Sequence, residues 1–165
     1  VIDKLAREGD PKKINFPRAY IDKSAFDFSF SGIKTAVNRY IQTHADAYKN
    51  QLPDIAASFQ EAVVDVLSYK IINAAKKKDC KHIAIVGGVA ANNRLRERIK
   101  KETANHNLVA HIPSLDLCGD NAAMIGAIGY HYLKKGKTSN MNEDVYSRIK
   151  PRPNPSGALK KAAHR

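Results

Sequence analysis

This 165-residue chain has two cysteines, no tryptophan, and far fewer acidic residues (16) than basic ones (28). Cys80 and Cys118 stand alone with no CxxC spacing, which argues against a disulfide framework or a cysteine-built zinc site. No apolar run approaches the roughly 18 residues needed to cross a bilayer. No signal peptide is read at the start, and with the few cysteines this predicts a reducing, cytoplasmic setting. A GxSxG elbow is also missing, so Ser29 and Ser31 do not read as hydrolase nucleophiles. Lys34 follows a Ser31-Gly32 turn without the full spacing of a phosphate loop.

What is present is a soluble globular composition, 43% hydrophobic and 27% charged, of a length suited to one domain. Val1-Ile2-Asp3-Lys4-Leu5 reads as the middle of a helical pattern, so the sequence predicts further polypeptide ahead of it. The net charge of +12 is unevenly spread. From Lys134 to Arg165, nine basic residues face only Glu143 and Asp144. With Pro151, Pro153 and Pro155 in the same stretch, residues 136–165 are expected to form a disordered basic tail suited to a phosphate backbone.

Along the chain, a short helix over 1–8 is expected to end at Gly9-Asp10-Pro11, and Ile14 to Pro17 to be extended. Phe26, Phe28 and Phe30 alternate with polar residues, which predicts a strand; helices are expected over about 33–48 and from Leu52 to the triple lysine at 76–78. Those lysines are read as a helix terminus complementing the dipole. Ile83 to Val86 and Leu108 to Ile112 read as strands, with a helix from Ala90 to about Glu102 between them and a small-residue helix over 121–130. Gly126 and Gly129 in that last helix predict close approach to a neighbouring element or a ligand. Strands alternating with helices make the chain α/β.

The densest signal is Gly87-Gly88-Val89-Ala90-Ala91-Asn92 at the end of an apolar strand. A glycine pair there lets backbone approach a ligand, and Asn92 and Asn93 follow with amides, Arg94 and Arg96 with charge. A right-handed crossover would bring the Gly87-Gly88 and Cys118-Gly119-Asp120 loops to one sheet edge. Asp120 is expected to be either a helix cap or a carboxylate aimed into the cleft as a single ligand for a divalent metal. His82 and His111 lie at strand ends, and His44 and His106 on the surface.

Four ordered motifs, Phe28 to Thr35, Ile55 to Gln60, Gly87 to Asn92 with Leu95-Arg96, and Cys118 to Ile125, resemble the C-terminal half of the tRNA N6-adenosine threonylcarbamoyltransferase family, also called the glycoprotease family. The resemblance runs from Val1 to about Tyr132. It implies an actin-like ATPase fold of two RNase H-like lobes, of which residues 1–135 would be the second: a mixed sheet flanked by helices, with a helical insertion over about 33–78. It further implies transfer of threonylcarbamoyl from threonylcarbamoyl-adenylate to N6 of the adenosine beside the tRNA anticodon. A divalent metal, iron by family habit, would act as Lewis acid. By motif matching, Asp120 corresponds to the metal-ligand aspartate, Asn92 to the adenylate-contacting asparagine, Gly87 and Gly88 to the nucleotide loop, and Asp3 to a substrate-contacting aspartate. Implied partners are tRNA, an ATPase subunit and a dimerising paralogue. The family's HxxxH metal motif is absent from this sequence, so the chain alone is expected to be inactive. A regulatory nucleotide-binding lobe and an actin-like ATPase or sugar kinase are the alternative readings.

Overall fold

The computed structural model describes residues 1–18 and 26–142, and the chain forms two compact units, 1–121 and 122–165. The first holds α1 (Ile2–Ala6), α2 (Ser31–Thr43), α3 (Leu52–Lys77), β1 (His82–Ala84), α4 (Asn93–Asn105) and β2 (Val109–His111). Short 3-10 turns lie at Tyr48–Gln51, Gly88–Ala91 and Leu115–Leu117.

α3 is the spine of this unit. Pro53 sits in its first turn, where a missing N–H costs nothing, and Lys76 and Lys77 in its last turn oppose the dipole as expected. Its apolar residues are spread around the whole circumference, which is the pattern of a helix covered on several sides. Ala56 and Ala57 meet Ala6 of α1, and Ile55 and Ala62 meet Phe16 and Ile33. Val64 packs with Leu95 and Ile99 of α4, and Ile72 and Ala75 pack with Ile83 of β1.

β1 and β2 are parallel, with His82 opposite Val109 and Ala84 opposite His111. Ile83 and Ala110 turn toward α3 and α4. The opposite face carries His82 and His111, whose rings lie 23° from coplanar with Nδ1 and Nε2 2.9 Å apart. The two ring nitrogens are thus at hydrogen-bond distance.

Three expectations are corrected. Residues 26–30 form no strand, because alternation needs a pairing partner; the Phe28 and Phe30 rings instead pack on each other with centroids 5.2 Å apart. The sheet among the described residues is two parallel strands, not a mixed one. The helix expected over 33–48 runs over Ser31–Thr43, and His44 ends it by stacking on Tyr40.

In the second unit, α5 (Ala122–Lys134) buries no side chain, and a Cβ added to Gly126 or Gly129 meets nothing within 4 Å. Lys134 lies over the Tyr130 ring, and Gly136 closes the helix at φ +66°. Most of the predicted basic tail, residues 143–165, lies outside the described residues. No helix among the described residues is long and apolar enough to cross a membrane.

Candidate functional site: the start of helix α4

The glycine turn begins where the sequence places it. Gly87 has φ +84°, a conformation that a side chain would strain, and its carbonyl accepts from Ala90 N–H at 2.9 Å. The helix expected from Ala90 is a 3-10 turn over Gly88–Ala91, and α4 proper begins at Asn93. Asn92 is the N-cap, its Oδ1 accepting from Leu95 N–H at 2.9 Å.

Three consecutive residues at this helix start are each held by a partner distant in sequence. Asn92 donates from Nδ2 to Gln60 Oε1 at 2.7 Å. Asn93 donates to Asp3 twice, from Nδ2 to Oδ2 at 2.9 Å and from its backbone N–H to Oδ1 at 3.3 Å. Arg94 donates to both oxygens of Glu61, at 2.7 and 2.8 Å. The turn is thus clamped from α1 and α3. Gln60 and Glu61 escape sequence reading because they are 32 and 33 residues from their partners; the Ile55 to Gln60 motif is the one hint, without a role attached.

The carboxylates in the clamp are electrostatically tuned. Burial pulls the Asp3 carboxyl up, but hydrogen bonds from Asn93 and Arg7 outweigh it and hold it below the usual aspartate range. For Glu61 the hydrogen bonds from Arg94 dominate, burial opposes them, and the charges of Arg94 and Arg98 add to the lowering. Asp65 continues the network to Arg98 at 3.0 Å and Arg18 at 2.9 Å. A depressed carboxyl contributes stability that is complete above its unfolded pKa and is lost as pH falls through the folded one. Glu61→Gln is therefore expected to lower stability by about 1–3 kcal/mol near neutrality. Urea titrations should show this gap closing as pH drops below about 4, and a gap that stays constant would exclude the linkage.

Arg96 has a different task from the one its charge suggests. Its guanidinium donates to the Ala90 carbonyl at 2.9 Å and to the Pro113 carbonyl at 2.8 Å, with Cys118 Sγ at 3.7 Å. It is a strut joining the glycine turn to the loop that leads to Asp120. Asp120 itself is exposed, and no group of three His, Cys, Asp or Glu able to hold a metal occurs among the described residues. One carboxylate is not a coordination shell, so the residues present do not fit a resident metal on their own.

Two recesses flank the turn. A cleft of about 820 Å³ is walled by apolar residues including Phe28, Phe59, Val63, Val86 and Val89, and Asn92 and Gln60 also line it. A polar recess of about 470 Å³ is lined by Asp3, Arg7, Gln60, Asn93, Arg94 and Glu97. The structure brings together Gly87, Gly88, Asn92 and, through Asn93, Asp3.

A glycine turn at the carboxyl end of a parallel strand, running into a capped helix beside an apolar cleft, belongs to an α/β protein. The particular family follows from comparison with known proteins. A family model described as tRNA N6-adenosine threonylcarbamoyltransferase matches residues 1–127, and the chain belongs to this family. It is 48% identical over 150 residues to the tRNA N6-adenosine threonylcarbamoyltransferase of Desulforapulum autotrophicum, covering 91% of this chain and 45% of that protein. The proteins of the same name from Desulfotalea psychrophila and Clostridioides difficile are 47% and 43% identical over 87% and 91% of the chain. The chain spans somewhat less than half the length of these relatives.

Proposed function

We propose that this chain supplies one wall of the adenylate site of a tRNA-modifying threonylcarbamoyltransferase. The carrying observation is the clamped Gly87 to Asn92 turn beside the apolar cleft, in a chain of that family. A planar base suits the apolar wall, and backbone at Gly87 and Gly88 admits close approach because neither position carries a Cβ. An amide nitrogen has two N–H donors. Asn92 spends one on Gln60, and the second is the one a ligand meets.

In the reaction, the N6 amine of an adenosine in tRNA attacks the carbamoyl carbonyl of threonylcarbamoyl-adenylate, forming the C–N bond as the C–O bond to phosphate breaks. AMP leaves with the electron pair, and the amine gives up a proton. This chain's residues bind and orient the adenylate: Gly87, Gly88 and Asn92 directly, Asp3 through the helix start it holds. Asp120 offers one ligand to a divalent metal, iron by resemblance, whose other ligands would come from polypeptide outside this chain. The remaining features of the reading are the second lobe of an actin-like fold over residues 1–135, a basic tail that adds affinity for tRNA, a cytoplasmic setting, and accessory ATPase and paralogue subunits. They rest on the family resemblance and on the +12 charge.

The test is transfer to tRNA by a chimaera in which this chain replaces the matched 150 residues of the Desulforapulum autotrophicum relative. The chimaera is expected to make product and the chain alone to make none.

A further inference from the structure

Among the described residues, Gln60 is the one that lines both the apolar cleft and the polar recess while also touching a residue of the glycine turn. Its contact has a direction that can be derived. Leu95 offers a backbone N–H, which can only donate, so the Asn92 atom 2.9 Å away is the amide oxygen. Asn92 Nδ2 must then face Gln60, and Gln60 must present its oxygen, 2.7 Å away. Without an acceptor at Gln60, only the Leu95 bond would restrain the Asn92 side chain, and its free N–H pair could turn with small rotations of the amide. With the acceptor, one N–H is fixed and the direction of the other is set.

We infer that Gln60 is a positioning residue: it acts on a ligand through Asn92, by holding the asparagine amide so that one N–H is aimed into the cleft. This rests on the adenylate reading for what the ligand is, but the hydrogen bond itself does not. Its neighbour Glu61 performs the parallel task for Arg94, so adjacent residues of α3 fix positions 92 and 94 of the turn, and Asp3 fixes position 93 from α1. Gln60 is therefore set apart from a packing residue by the prediction that its effect on binding vanishes when the Asn92 amide is gone.

The experiment is a double-mutant cycle on the 15N-labelled 165-residue chain with AMP as probe. Gln60→Met keeps side-chain length and removes the acceptor. Asn92→Ser keeps a cap for Leu95 N–H and removes the amide. Gln60→Met is expected to weaken AMP binding about fivefold in the unsubstituted chain, the worth of one oriented hydrogen bond. In the Asn92→Ser background it should change binding by less than about twofold. Equal weakening in both backgrounds would place Gln60 on the ligand itself and overturn the inference, as would no weakening in either. If AMP fails to bind the unsubstituted chain, the adenylate reading fails separately, and the ligand-free spectrum decides the positioning claim. There Gln60→Met must shift the Asn92 side-chain amide signals while Leu95 N–H stays protected, and Gln60→Glu, which keeps an oxygen acceptor, must leave them near their original positions. Asn92 signals indifferent to Gln60→Met would overturn it.

Discussion

Gly9→Ala is expected to cost about 3 kcal/mol or more, a large penalty for one methyl group. A Cβ at Gly9 would fall on the Pro53 carbonyl and the Asp54 nitrogen, which are backbone at the start of α3 and cannot turn aside. The close approach serves a set of bonds that the added carbon would pull apart. Asp10 N–H donates to Asp54 Oδ1 at 2.8 Å, Ser58 Oγ donates to the Asp10 carbonyl at 3.2 Å, and Ile14 N–H donates to Ser58 Oγ at 3.1 Å. Ser58 is fully buried, so its hydroxyl would lose partners that water cannot replace. α1 is joined directly to this turn and carries Asp3, so the damage should reach Asn93 and the start of α4. Urea unfolding should show the lowered midpoint. Gly32→Ala, at a glycine with nothing within 4 Å of the added carbon, is the control and should change stability little.

Ile99→Ala should lower stability by about 2–5 kcal/mol. Ile99 is 1% exposed and, among the described residues, is the largest side chain buried to that degree. It lies one helical turn past Leu95 and packs in the cluster that joins Val64 of α3 to Leu95, with Ile85, Ala110 and Ile112 of the sheet region against it. Neighbours fixed on two helices and beside the sheet can collapse only partly into the space, so the cavity term adds to the lost transfer energy. For a chain of this size the melting temperature should fall by about 10 °C. Ile99→Val, which removes one methylene, should cost about 1 kcal/mol, and equal losses for the two variants would rule out cavity formation as the cause.

The architecture near the site was legible where local rules decide it. The Leu52 to Lys77 helix followed from apolar periodicity, a proline in its first turn and lysines in its last. The glycine turn followed from an apolar strand ending in Gly87-Gly88, and Gly87 does adopt a glycine conformation. Features that depend on distant partners were not legible. Phe26, Phe28 and Phe30 have strand alternation, but no strand pairs with them among the described residues; the Phe28 and Phe30 rings pack on each other, and Phe26 lies under Lys77 and Lys78. Arg96 read as charge for a ligand, whereas its guanidinium spends its donors on the carbonyls of Ala90 and Pro113. Asn92 read as a residue aimed at the cleft, and its amide oxygen is in fact committed to capping Leu95. That commitment and Gln60 together decide which N–H remains for a ligand. The Ile55 to Gln60 motif includes Gln60 but gives it no role, since its partner is 32 residues away on another helix.

The family assignment explains why the apolar cleft can lie open on this chain: the relatives are more than twice the length of the segment they share with it. The central claim is that the turn from Gly87 to Asn92 holds an adenylate for transfer to tRNA, in a protein that needs more than these 165 residues to work. The most direct measurement is formation of N6-threonylcarbamoyladenosine in tRNA from threonylcarbamoyl-adenylate by three proteins: the chain alone, the chimaera with the Desulforapulum autotrophicum relative, and that chimaera carrying Asn92→Ser. The account predicts no product from the chain, product from the chimaera, and a loss of at least about tenfold from Asn92→Ser at limiting adenylate. Product from the chain alone, or an active chimaera indifferent to Asn92→Ser, would contradict it.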